Sequence, residues 1–297
     1  MEYTKQPISI QDQIDLLKRR GLIIDDEQHA KDALSVISYF RLADYWRPME
    51  ASHTTHIFIE GTHFNDILKL YQFDKELKNM VFAAIQTIEI AMRTKIIHHF
   101  SIADGAFWYM DAHLFADHSL FASHLEKLNK ELQRAKDEFI TDHYKKYGRE
   151  HFPPSWKTLE VASLGSLSKL YENYASRRVK NLVARDFNVM QYVFLSSWLV
   201  CLTVLRNCCA HHARLWNRRF SVRPKMPPQM PGKWISNFRF LSYKLYPNLC
   251  CIAYWLNSIK ADNTFAADLR DLLTRYPDVP PSSMGFPHDW QGEELWK

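Results

Sequence analysis

Residues 206–214 read Arg-Asn-Cys-Cys-Ala-His-His-Ala-Arg, a set of side chains able to bind a phosphate and to move a proton. An arginine, an amide beside it and a histidine five positions on follow directly after the apolar run Tyr192–Leu205. Helical residues are spaced about 100° apart; with Arg206 at zero, Arg214 falls near 80°, Asn207 near 100°, Arg218 near 120° and His211 near 140°. Cys208, Leu205, Cys209, His212 and Trp216 fall on the other side, at roughly 180–300°. The pattern predicts one helix with a core-facing half and a polar arc that also admits Ala210, small enough for a second helix to approach. Such an arc suits a phosphodiester, with cations for the phosphate and an imidazole that exchanges protons near neutral pH. A plainer account is also available. Charged residues at the end of a buried helix reach solvent, and cations there are favoured by the helix dipole.

The same Arg-x4-His spacing recurs at Arg93 and His98. There the apolar residues Ile85, Met92 and Ile96 flank Glu89 and Arg93, while His98 lies on the opposite side. A buried Glu89–Arg93 ion pair is expected, with a role in supporting the site and an exposed histidine beside it. Cys208, His211 and His212 could approach one another as zinc ligands. However, no partner Cys-x2-Cys exists and both cysteines fall on the apolar side, so neither metal nor cofactor is expected. Basic clusters occur at Arg177, Arg178, Lys180 and Arg185, and at Arg218, Arg219, Arg223 and Lys225. They suit a polyanion such as RNA, with Arg214 nearby and Trp216 for stacking. Each could equally be an ordinary solvated face.

The elements that position these residues are helical. Glycine is scarce, at 8 of 297 residues, and helix formers dominate. Ser9 with Asp12 opens a first helix that Gly21 stops, and Asp25-Asp26 opens a second running through Tyr39 and Trp46 to Pro48. Residues 53–64 predict a small hairpin or extended loop around Glu60-Gly61. Helices follow over about 65–100, 119–147, 155–175 and 188–218, the last carrying the motif. After the proline-rich break Pro224–Pro231 come helices near Phe240–Lys260 and Asn263–Tyr276. The tail after Pro277 is irregular, with Phe286, Trp290 and Trp296 available to pin it. The fold class is mainly all-α. One domain over 1–297 is expected, with an N-terminal helical extension of about 1–64 and a C-terminal tail of about 277–297.

A net charge of +5 permits an anionic partner without requiring one. Five cysteines, four of them in adjacent pairs, give no disulfide framework and favour a reducing cytoplasm. The polar N-terminus has no apolar signal region, and Val193–Leu205 falls short of the ~20 residues that span a bilayer, so no membrane partner is expected.

Several segments together carry a family resemblance. They are Gln13–Ile24, Tyr39–Trp46, Leu70–Leu77, Ile88–Thr94, Pro154–Gly165, Leu205–Arg218 and the tail from Met284 to Trp296. With these, the chain resembles the Abi-like (AbiD/AbiF-type) abortive-infection proteins of the HEPN superfamily of helical ribonucleases. Arg206, Asn207 and His211 occupy the Arg, polar and His places of that pattern. The resemblance implies a HEPN-like helical bundle, a homodimer in which two motif helices form one cleft, and metal-independent RNA cleavage by the substrate's own 2′-hydroxyl. His211 would be the general base or acid, Arg206 the stabiliser of the transition state, and Asn207 an orienting or phosphate-binding residue. It further implies a toxin restrained by a partner, with a structured non-coding RNA as the candidate. The alternative is a non-catalytic HEPN module that binds RNA or protein through the same arc.

Overall fold

The computed structural model describes residues 6–238, 242–260 and 262–297. It is mainly α, with twelve α-helices and one two-stranded sheet among the described residues. Two compact units divide the chain, Met1–Leu77 and Lys78–Lys297.

In the first unit, α1 (Ile10–Arg19) opens on a capping box, the Ser9 hydroxyl accepting from the Asp12 N–H while the Asp12 carboxylate accepts from the Ser9 N–H. Gly21 follows at φ 89°, where a side chain would be strained. The helix expected from Asp25-Asp26 to Pro48 is instead two: α2 (Glu27–Val36), capped by Asp26, and α3 (Tyr39–Trp46), capped by Ser38. Ile37 between them is extended, and the Ser38 hydroxyl satisfies the Arg41 N–H that a continuous helix would have paired internally. The hairpin forms, but earlier than expected. Its antiparallel strands are β1 (Glu50–Ser52) and β2 (Ile57–Phe58), so Glu60-Gly61 lies beyond it. Within this unit the Tyr45 hydroxyl donates to the buried Asp74 carboxylate over 2.7 Å.

The division at Leu77/Lys78 falls inside α4 (Phe64–Asp104). In the second unit α4 buries Val81, Ile85, Ile88, Met92, Ile96 and Phe100, a stripe at helical spacing. The expected helix over 119–147 is split into α5 (His118–Arg134) and α6 (Glu138–Tyr147), because Ala135 turns extended. The stretch 155–175 is likewise split, into α7 (Ser155–Thr158) and α8 (Leu164–Asn173). A helix not anticipated, α9 (Arg177–Asp186), starts at the Ser176 cap and carries the first basic cluster.

Next comes α10 (Tyr192–Ala210), packed against α8, α9 and α11 (Tyr246–Ile259). With 19 residues and mean hydropathy 1.6, α10 is long and apolar enough to cross a membrane by length and composition alone. Here it serves as a core helix, with Leu195, Trp198, Leu199, Leu202 and Leu205 buried. The expected start of α11 at Phe240 lies outside the described residues. After α12 (Phe265–Arg275) the tail forms short 3-10 turns and buries Phe286, Trp290 and Trp296. Trp296 Nε1 donates to the Tyr246 hydroxyl over 3.3 Å, which pins the tail to α11.

Candidate functional site

α10 ends one residue before His211, not at Arg218. The N–H of His212 bonds the Cys209 carbonyl at 3.0 Å and that of Ala213 bonds the Cys208 carbonyl at 2.8 Å. This pair of bonds is a Schellman cap, and it satisfies carbonyls that the helix end would leave open. The cap needs a left-handed residue, and His212 takes that place at φ 55°. His212 is therefore exposed at a helix terminus, not core-facing as the helical projection placed it.

Arg206 and Asn207 sit in the last turns of α10, and His211 caps it, its N–H reaching the Asn207 carbonyl at 3.0 Å. Arg206 is half-buried, while Asn207 and His211 are exposed. Among the described residues no hydrogen bond or ion pair engages these three side chains. A guanidinium half withdrawn from water with no counter-charge is ready for an anion.

The stop removes Arg214 and Arg218 from the helical arc, and Trp216 from the helix altogether. Trp216 is 5% exposed and no platform for a base. Ending the helix lets Leu215, Trp216 and Phe220 bury themselves without drawing the neighbouring arginines inward. Arg214 lies 5.8 Å from the Trp216 ring and Arg218 5.9 Å from the Phe220 ring, both half-buried. The chain then doubles back along α10, with Trp198 Nε1 donating to the Lys225 carbonyl at 2.7 Å and the Lys225 N–H to Ser197 Oγ at 2.9 Å. Exposed Arg219 and Arg223 both lie over Tyr243, at 5.0 and 5.5 Å from its ring. Tyr243 is itself exposed, and it is the aromatic partner of this cluster that the sequence did not reveal. It lies 24 positions from Arg219 and 20 from Arg223, so no local spacing could have signalled it.

The first cluster is also divided. Arg177 and Arg178 are exposed in the first turn of α9. Lys180 is 5% exposed, its Nζ donating to the Glu172 carbonyl at 3.1 Å and lying 4.4 Å from the Tyr192 ring. Burial pulls its pKa below the ordinary lysine value. It is a packed residue in place of the surface cation expected from the run Arg-Arg-Val-Lys.

Glu89 and Arg93 pair as expected, at 2.8 Å, and His98 is exposed. Arg93 does more than pair. Its Nη1 donates to the carbonyls of Leu159, Glu160 and Ala162, which form the turn between α7 and α8. That turn leads to Ser163, the cap of α8. There the Glu131 carboxylate accepts from the Ser163 N–H and the hydroxyls of Ser163 and Ser166, at 3.1, 2.7 and 3.0 Å. Gly165 then packs toward Thr203 of α10, one turn before Asn207; a methyl at 165 would sit 3.6 Å from Thr203 Cγ2. Glu131, Ser163 and Ser166 were not singled out from sequence, although serines at the cap and three residues on were a usable signal.

All five cysteines are buried and free. Burial pushes the Cys208 thiol up, away from the thiolate that a metal would need.

No curated protein and no solved structure matches the chain. The family described as Abi-like protein matches residues 32–217. The matched stretch includes Arg93, the turn it holds and the whole of Arg206–His211; it leaves out Gln13–Ile24 and the Met284–Trp296 tail. With well over half of its 297 residues matched, the chain belongs to the Abi-like protein family.

Proposed function

We propose that this chain is a HEPN-type endoribonuclease toxin of anti-phage, abortive-infection defence, acting in the cytoplasm without a metal. The Abi-like family suggests an abortive-infection-type function. The observation that carries the enzymatic reading is Arg206, a half-buried cation with no counter-charge, one residue from Asn207 and five from His211 at a capped helix end.

In the proposed reaction the 2′-hydroxyl of RNA attacks the adjacent phosphorus. The 2′-O–P bond forms, the P–O5′ bond breaks, and a 2′,3′-cyclic phosphate and a 5′-hydroxyl result. The nucleophile belongs to the substrate, so DNA cannot react. One group must take the 2′ proton and another must give a proton to the departing 5′ oxygen on the far side of the phosphorus. Each chain brings one His211 to its motif, so two motif helices in a homodimer supply the pair. Arg206 neutralises the charge that grows on the phosphorane, and Asn207 orients the imidazole or binds a phosphate oxygen. Arg214, Arg218, Arg219, Arg177 and Arg178 would hold flanking phosphates, while Glu89 and Arg93 support the site through the α7–α8 turn. A structured non-coding RNA is the proposed restraining partner.

The test is cleavage of labelled total RNA by purified protein in EDTA, beside Arg206→Ala and His211→Ala proteins of the same melting temperature. Cyclic-phosphate ends made by wild type and by neither variant are expected. A protein stripped of nucleic acid that leaves RNA intact, or an His211→Ala protein that still cleaves, would overturn the enzymatic reading and favour a binding module. Light scattering that gives monomer mass at micromolar concentration would overturn the composite cleft.

A further inference from the structure

Three helices meet at Gly165, in the first turn of α8. A Cβ built there would lie 3.6 Å from Thr203 Cγ2 on α10 and 3.7 Å from Lys127 Nζ on α5. The missing side chain leaves an opening at which an ammonium from α5 comes up to the motif helix. Thr203 belongs to the face that carries the motif. With Arg206 at zero it projects at about 60°, between Arg206 and Asn207 at about 100°, and one turn before them. Its hydroxyl donates to the Leu199 carbonyl at 2.9 Å, so no hydroxyl donor of α10 competes there.

Lys127 is placed by Glu131, one turn on along α5, with 3.6 Å between Nζ and Oε1. That carboxylate already accepts from the Ser163 N–H and from the hydroxyls of Ser163 and Ser166. The ammonium stands beyond hydrogen-bond reach of it, so Glu131 orients the cation without taking a hydrogen bond from it. A second cation, Lys169, follows one turn after Gly165 on the same face of α8. Both lysines act on His124, which is buried on α5. Burial first, and then the charge of Lys169, hold this imidazole below the ordinary histidine value; Lys127 acts in the same sense, against Glu172 and Asp117. A line of cations thus runs from Arg206 past Lys127 to Lys169, over a bare Cα that permits close approach of a ligand.

We propose that the RNA strand leaves the α10 motif across Gly165, with Lys127 binding the phosphate next to the one held by Arg206 and Lys169 the phosphate beyond. The inference rests on the ribonuclease reading for the identity of the strand, and it adds the path the strand takes on one side of the scissile bond. A lysine meets phosphate as a point charge, so these contacts add affinity without base preference.

The experiment is fluorescence anisotropy of a labelled single-stranded RNA of mixed sequence with full-length His211→Ala protein, across a series of salt concentrations. Adding Lys127→Ala should weaken binding about tenfold at low salt. It should also lower the slope of log affinity against log salt by about 0.7, the value for one phosphate of a single strand. Lys169→Ala should act in the same direction, and Lys127→Arg should keep the slope. Gly165→Leu should weaken binding with both lysines in place, because its side chain fills the opening. Lys130→Ala is the control, since Lys130 lies on the same helix and is paired with Glu126 at 2.6 Å; it should change neither quantity. Thermal melting curves verify that each variant folds. No RNA binding, a slope unmoved by Lys127→Ala, or an equal loss from Lys130→Ala would overturn the path. Binding that depends on Lys127 in a protein whose wild type leaves RNA intact would keep the path and sink the nuclease, so the two readings fail separately.

Discussion

Arg93 and Glu89 stand one turn apart on α4 with 2.8 Å between Nη2 and Oε1, and the same guanidinium holds three carbonyls of the turn before α8. Two segments distant in sequence are thereby joined by one side chain. Replacing Arg93 by alanine strands a mostly buried carboxylate and three carbonyls together. The expected loss is about 3–5 kcal/mol in a urea melt. Arg93→Lys should recover only part of it, because an ammonium cannot reproduce the planar fork. A melt of Arg93→Ala that coincides with wild type would show the turn to be held by other contacts.

His212 occupies a left-handed position that glycine fills without strain. His212→Gly should raise the unfolding free energy by about 0.5–1 kcal/mol, and His212→Val should lower it by about 1 kcal/mol or more. Denaturant midpoints decide the matter, and a Val variant as stable as wild type would contradict the capped geometry.

Trp216 and Arg219 are three residues apart yet should behave as opposites. Trp216→Ala is expected to cost about 3–5 kcal/mol of stability, as an emptied core position does. Arg219→Ala should change stability by no more than about 0.5 kcal/mol. Under the ribonuclease reading, Arg219→Ala should also weaken RNA binding and lower the slope of log affinity against log salt by about one. A stable Trp216→Ala protein with weakened RNA binding would return that ring to the surface role first expected of it.

Lys180 gives a pH signature. Burial lowers its folded pKa, so below the ordinary value of 10.5 the unfolded chain binds more protons than the folded one. Its contribution to stability therefore rises with pH, from the lowered folded value up to the ordinary one. Lys180→Met removes that term and keeps the contact with Tyr192. The stability of wild type relative to Lys180→Met should thus increase as pH climbs toward the ordinary lysine range. Urea midpoints whose difference does not move with pH would refute this burial.

Much of the fold was legible because its signals are local. Ser9 with Asp12, Gly21 and the apolar stripe of α4 each declare themselves within a few residues, and all three appear where expected. The breaks at Ile37, Ala135 and Leu159 were not legible. At Ile37 the stop is the local Ser38 cap, which the stronger signal of the flanking residues masked. At Leu159 the turn is held from α4 by Arg93, a tertiary contact. At Ala135 no side-chain cap accompanies the stop. The end of α10 was hidden for a related reason, since a histidine and not a glycine takes the left-handed position. Arg206 and Asn207 keep their placement because they precede that stop, and His211 stays beside them because its N–H still bonds the Asn207 carbonyl, whereas Arg214, Trp216 and Arg218 lose theirs because they follow it. Lys180 misled because it shares a helix face with exposed Arg177 yet packs against the Tyr192 ring and the Glu172 carbonyl, contacts that the Arg-Arg-Val-Lys run does not announce.

The stop at Ala210 also sets two clocks. Leu202, Leu205, Cys208 and Cys209 lock the final turns of α10 into the core, so the backbone under Arg206 moves only when the core opens, a rare and slow event. His211, one position past the helix and exposed, can reorient its ring on the picosecond-to-nanosecond scale of surface side chains. A slow backbone under Arg206 and a fast imidazole at His211 are thus carried five residues apart, the first to be read by amide exchange at 206 and the second by side-chain relaxation of the His211 ring.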